Sequence, residues 1–169
     1  DLEQYVAAKH HIFRGAKTAV SNRQDSLTAQ REQGVSQTLT FGLDSPGQGN
    51  FGVAVHDHQE SLFFGNQVLF SVDEVAMKGR HNTGNALAAL ALGHAAGLQI
   101  ESMLETLKIF KGLPHRCETI ATIDNVSYIN DSKGTNVGAT LAAIEGFGSN
   151  SYKNLLLIAG GQGKGQDFG

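Results

Sequence analysis

"YINDSKGTNVGATLAAIEGF", residues 128–147, followed by "NLLLIAGG" at 154–161, decides the fold class of this chain. Residues 128–130 end a β-prone run, a polar loop follows, and small and apolar residues then recur at helical spacing. Thr135 or Asn136 stands where that helix should start, and "NLLLIAGG" reads as a buried strand. Strand, helix, strand is a βαβ unit, so this half is expected to begin a parallel α/β sheet. Just upstream, "TIATIDNVSYIND" (119–131) predicts two short strands about Asp124-Asn125.

Working back from there, Pro114 in "GLPHRCE" (112–118) prevents helix continuation and marks a hinge. Two helices are predicted before it. One covers 82–96, closed by Gly97, and the next covers 100–110, closed by Gly112. Residues 36–73 alternate as strands, "SQTLTF", "FGVAVH", "SLFF" and "QVLF", with a hairpin signal at Gly65-Asn66. "KTAVSN" (17–22) reads as another strand, and Asp25 could cap a helix through about Glu32. Residues 2–14 form a helical pattern with Leu2, Tyr5, Val6, Ile12 and Phe13 on one stripe.

At 169 residues the chain has room for one domain or two small ones. A net charge of -3, with no basic run, gives no electrostatic footprint for nucleic acid. Cys117 is the single cysteine, which excludes an internal disulfide and fits a reducing compartment. No apolar run reaches membrane-spanning length. The first residue opens directly into a helix and the last falls where a helix should begin, so an interior piece of a longer protein is expected.

The glycine loop at the C-terminal end carries Lys164, but it is not a phosphate loop. Ile158 stands where the first glycine is needed, and Gly165 where the magnesium-binding hydroxyl is needed. The dinucleotide fingerprint fails as well, at Gln166. From the residues alone, a glycine-rich turn with a solvated lysine is the simpler reading. Lys9 points along the apolar stripe of the first helix, where it either snorkels or sits in a cleft. "HDH" (56–58) offers two imidazoles on one strand face without a third ligand, so a solvated strand end is expected. His10 and His11 diverge on their helix and read as surface residues. Asn82 and Asn85 share a helix face and could read an adenine edge, although Asn82 serves equally as a helix cap. Asp131, Lys133 and Thr135 sit between a strand end and a helix start, where ligands and anions bind; a plain capping loop would use similar residues.

Read together, "YVAAKHHIF", "GRHNTGNALAALALGHAAGL", "FKGLPHRCE", "YINDSKGTNVGAT" and "LLIAGGQGKGQDF" resemble the Mur ligases, and among them the D-glutamate-adding branch. The asparagine-paired helix is shared with folylpolyglutamate synthetases; "GLPHRCE" followed by "INDSKGTN" is the narrower signal. The resemblance implies an α/β fold in two parts. The latter half of a P-loop-type central ATPase domain would cover 1–112, without its phosphate loop. The first part of a Rossmann-like C-terminal domain, which binds the amino acid, would cover 113–169.

It also implies a cytoplasmic enzyme of peptidoglycan synthesis. ATP would phosphorylate the carboxylate of UDP-N-acetylmuramoyl-L-alanine, and the amine of D-glutamate would attack the acyl phosphate. By resemblance, Lys9 is a carbamylated lysine that helps hold Mg2+. Asn82 and Asn85 face adenine, Arg116 contacts the nucleotide and Asp131 the ribose. Thr135 and Lys164 hold the D-glutamate carboxylate. Lys133 joins Lys9 as a catalytic lysine with no assigned step. The alternatives are another amide ligase, such as a folylpolyglutamate synthetase, or a non-catalytic nucleotide-binding module. No nucleic acid and no membrane insertion are expected.

Overall fold

One five-stranded sheet collects the apolar residues between 18 and 71, in the spatial order β1 (Thr18–Asn22), β2 (Gln37–Phe41), β3 (Phe51–His56), β4 (Gln59–Phe64) and β5 (Gln67–Ser71). The structure, a computed structural model, describes residues 1–29, 34–148, 154–161 and 165, and divides into two units, Asp1–Phe110 and Lys111–Gly169. β1 and β2 are parallel from Thr18↔Gln37 to Asn22↔Phe41, and β2 meets β3 in parallel at Phe41↔Phe51. β3–β4 and β4–β5 are antiparallel hairpins. Asp57 and His58 turn the first, at φ 49° and 66°, as a two-residue loop between right-twisted strands requires. Gly65-Asn66 turns the second, as the sequence predicts.

Period-2 alternation puts Phe51 and Val53 of β3, Leu62 of β4 and Phe70 of β5 into the core. Helix α2 (Arg80–Ala95) covers them with Ala86, Leu87, Leu90 and Ala91, whose spacing keeps one helix face inward. Leu107 of α3 (Ile100–Ile109) and Val75 close the cluster. Phe51, Leu62, Leu87 and Leu90 are almost wholly enclosed, and each such side chain contributes about 1.5–3 kcal/mol by leaving water. Gly97, at φ 82°, ends α2; the Leu98 N–H donates to the Gly93 carbonyl at 2.9 Å across this turn.

Arg23, just past β1, braces the loop that joins β2 to β3. Its guanidinium donates to the Phe51 carbonyl at 2.7 Å and to the Asp44 carbonyl at 2.8 Å, and pairs with Asp44 Oδ1 at 2.7 Å. The strut has room because position 52 is glycine: a Cβ there would run into the Asp44 carbonyl oxygen.

Helix α1 (Leu2–His10) is capped by Asp1 and gives way to a 3-10 turn at His11–Phe13. The tighter turn breaks the helical phase, so the expected stripe does not continue into a core. Tyr5 and Ile12 are 60% and 75% exposed. His10 is buried instead, with Nε2 2.8 Å from the Leu27 carbonyl, which corrects its reading as a surface residue. Asp25 does cap, but over a 3-10 turn at Ser26–Thr28; the rest of the expected helix reaches residues outside the described ones.

In the second unit, β6 (Glu118–Ile123) and β7 (Val126–Asn130) form an antiparallel hairpin about Asp124-Asn125, whose φ values are 49° and 62°. Helix α4 (Val137–Gly148) follows, with Asn136 Oδ1 accepting the Ala139 N–H at 2.9 Å. The expected closing strand is not formed. Residues 154–160 make no ladder, and Leu156 and Ile158 are 87% and 91% exposed. An apolar run becomes a strand only when a neighbour satisfies its backbone groups. The parallel pairing in the described residues lies in the first unit instead.

Candidate functional site

The first-unit candidates cluster at the start of α2. Gly79, at φ 100°, turns the chain into the helix, and its carbonyl accepts the Asn82 and Thr83 N–H groups at 3.0 Å each. Gly79 is therefore the N-cap and Asn82 lies within the first turn, which corrects the reading of Asn82 as a cap. Freed from capping, the Asn82 amide bridges two groups. Nδ2 donates to the Lys78 carbonyl at 2.9 Å, and Oδ1 accepts from Asn85 Nδ2 at 3.4 Å. The structure thus joins Asn82 and Asn85 side by side, with Asn85 exposed. Two coupled amides of this kind present donors and acceptors together, which suits the edge of a purine base.

Lys9, also in the first unit, is exposed, and its Nζ lies 5.3 Å from the centre of the Tyr5 ring. The lysine snorkels over an aromatic face instead of entering a cleft. An ammonium offers no lone pair to a metal, and no group of three or more His, Cys, Asp or Glu able to hold a metal occurs among the described residues. The side chains present around Lys9 therefore do not themselves fit magnesium, which takes oxygen donors. His56 ends β3 with Nε2 3.4 Å from Asp57 Oδ2, and His58 belongs to the turn.

The second-unit candidates occupy two backbone segments tied to one another. Asp131 leaves the end of β7, and its Oδ1 accepts the Cys117 N–H at 3.0 Å. Burial pushes the Cys117 thiol up to about 11, helped by the Asp131 charge and a hydrogen bond to that carboxylate. The Asp131 carbonyl accepts the Gly134 N–H at 2.8 Å, while Lys133 donates its N–H to the His115 carbonyl at 3.1 Å. Arg116, Lys133 and Thr135 are all exposed on these segments. A carboxylate flanked by exposed cations and a hydroxyl can accept from sugar hydroxyls while its neighbours neutralise an anion. Lys164 lies outside the described residues. The sequence reading did not single out Asn130, whose amide helps set this geometry; its place at a strand end beside Asp131 was the available signal.

The family model of the Mur ligase middle domain matches residues 1–93. The chain is 51% identical over 167 residues to UDP-N-acetylmuramoylalanine–D-glutamate ligase of Pseudomonas fluorescens, covering 99% of this chain and 37% of that protein. It is 46% identical over 169 residues to the same-named ligase of Legionella pneumophila, covering 99% of this chain and 38% of that protein. The chain therefore spans 37–38% of the length of these curated relatives. Among solved structures, MurF from Acinetobacter baumannii shares the fold at a TM-score of 0.66 and 22% identity, over 88% of this chain and 34% of that one. A pseudomurein peptide ligase type C from Methanothermus fervidus does so at 0.62 and 18%, over 90% of this chain and 38% of that one. On the matched span, the shared sheet-and-helix fold and the identity sustained from end to end, the chain belongs to the Mur ligase family.

Proposed function

We propose that this chain is part of an ATP-dependent ligase that joins D-glutamate to UDP-N-acetylmuramoyl-L-alanine, a step of peptidoglycan synthesis in the cytoplasm. The observation that carries the reading is the 46–51% identity, over 99% of the chain, to enzymes whose names state that ligation. Amide formation from a carboxylate needs the departing oxygen turned into a good leaving group, and ATP supplies the phosphoryl group for this when bound.

The chain's own residues then have positional and electrostatic work. The coupled Asn82 and Asn85 amides orient the purine. Asp131 keeps lone pairs for ribose hydroxyls beyond those engaged with Cys117, and Arg116 neutralises phosphate charge. Thr135 and Lys164 hold the incoming amino acid by its carboxylate, and Lys133 adds positive charge beside them. Lys9 would become a magnesium ligand only as a carbamate, because that modification replaces an ammonium with oxygen donors. Its exposure leaves the amine open to the modification. Among the described residues no helix is long and apolar enough to cross a membrane.

The test uses the full-length protein. With UDP-N-acetylmuramoyl-L-alanine and ATP present, phosphate release is expected to require D-glutamate and to be far slower with L-glutamate. Asn85→Ala is expected to raise KM for ATP by about tenfold, the worth of a paired hydrogen-bonding contact of roughly 1–3 kcal/mol, with KM for D-glutamate unchanged. Release that favours L-glutamate, or needs no amino acid, overturns the proposal.

A further inference from the structure

The turn at 113–118 and the loop at 130–134 are locked together by side chains to which the ligase reading gives no task. Asn130, the last residue of β7, uses both ends of its amide. Oδ1 accepts the Ser132 N–H at 3.1 Å, and Nδ2 lies 2.9 Å from His115 Nδ1. The Ser132 N–H can only donate, so it fixes the amide with its oxygen toward Ser132 and its NH2 toward the ring. His115 Nδ1 is then the acceptor, and the ring proton sits on Nε2. Around this pair, the His115 N–H donates to Glu118 Oε2 at 2.8 Å and the His115 carbonyl accepts the Lys133 N–H at 3.1 Å. Cys117 then ties the far side of the turn to Asp131 through its N–H.

Arg116 sits between these two anchors. Its neighbours His115 and Cys117 hold φ values of 66° and 49°, a region that residues with a Cβ seldom occupy. Such a turn persists when its surroundings over-determine it. Within the second unit these ties fix the backbone of Arg116 against that of Asp131.

We infer that Asn130 is a positioning residue, which acts through His115 to seat the Arg116 turn on the Asp131 loop so that both side chains meet one nucleotide. The inference rests on the reading of Arg116 and Asp131 as nucleotide contacts. Removing the amide leaves Arg116 charged and exposed on a turn held by fewer ties, so nucleotide affinity falls.

Steady-state kinetics of the full-length enzyme test this, with a thermal melt on every variant. Asn130→Ala is expected to raise KM for ATP about fivefold, the worth of one ordinary hydrogen bond, with kcat within a factor of about two. His115→Ala, at an exposed position, should reproduce that change, and the double variant should be no worse than either single one. Asn130→Asp should restore KM, because a carboxylate still accepts from Ser132 and from His115 once the ring proton moves to Nδ1. An unchanged KM for ATP in Asn130→Ala, additive losses in the double variant, or no rescue by aspartate overturns the inference. Asp131→Ala separates the two levels. If it leaves KM for ATP unchanged, the nucleotide reading fails; if it raises KM while Asn130→Ala does not, only the positioning role fails.

Discussion

Asp131 and Cys117 form a pair whose chemistry can be read without any ligand. Burial, then the carboxylate's charge and hydrogen bond, hold the thiol up at about 11. The sign follows from which state loses its proton first. Below the ordinary value of 9.0 the thiol is protonated in both folded and unfolded chains, and its full contribution to stability is present. As pH rises through 9.0 toward 11, the unfolded chain ionises first and that contribution is lost. Alkylation of native Cys117 is therefore expected to be slow at neutral pH and to reach its midpoint rate near 11. Asp131→Asn removes the charge but not the burial, so it should lower the midpoint and speed labelling at any pH below it. A wild-type midpoint at 9.0 would show that neither burial nor the carboxylate acts on the thiol, and an unchanged midpoint in Asp131→Asn would show that thiol and carboxylate do not meet. None of this was legible in the sequence. A lone cysteine between arginine and glutamate says nothing about a carboxylate fourteen residues on, and only the closure of the β6–β7 hairpin brings the two together.

Elements were legible where the signal is local. The hairpins at Gly65-Asn66 and Asp124-Asn125 follow from alternation interrupted by residues that tolerate turn geometry, whereas the turn at Asp57-His58 reads in the sequence only as a solvated strand end. The strand expected over 154–161 was misread because its apolar run is also local, while the pairing that makes a strand is not. Lys9 shows the same limit: it follows Tyr5 by one helical turn, but Tyr5 is itself exposed, so position alone carried no burial. The Arg23 strut was illegible for a related reason, since its acceptors lie 21 and 28 residues away. It makes a clear prediction about glycines. Gly52→Ala would drive a Cβ into a backbone carbonyl that Arg23 itself holds in place. A loss of about 2–3 kcal/mol is expected, the range of overpacked sites. Gly93→Ala meets the Met103 sulfur, which belongs to a flexible side chain. There the gain in helix propensity, about 1 kcal/mol, should nearly offset the displacement. Urea titrations of the two variants check the order, and a Gly93→Ala loss equal to that of Gly52→Ala would sink it.

At the scale of the whole molecule, the two units differ in kind. Among the described residues, the buried apolar side chains, from Ala19 to Leu107, all belong to the first, and none of the second is buried. Hydrogen-bonded hairpins without enclosed apolar area open cheaply, because nothing beyond the ladder resists exposure of the amides. Hydrogen exchange on this chain should therefore divide at Phe110. Amides of β3, β4 and α2 are expected to exchange by global unfolding, and those of β6, β7 and α4 orders of magnitude faster, near the rate of local opening. Limited proteolysis should cut first beyond Phe110 and leave a resistant core of about the first unit's length. The difference also bears on the candidate residues that each unit carries. Asn82 and Asn85 stand on the packed element α2, whereas Arg116, Asp131, Lys133 and Thr135 depend on hydrogen bonds of the kind that Asn130 makes. Ordering those bonds lowers the affinity of any ligand that needs them, and a ligand that supplies ordering returns protection to the same amides. With saturating ATP on the full-length enzyme, the amides of Cys117 and Lys133 should gain protection over their level in the free enzyme, where those of β3 and β4 are already the better protected. Equal protection of all these amides without ATP would mean that the second unit is already as rigid as the first, and the contrast in burial would then have no dynamic consequence.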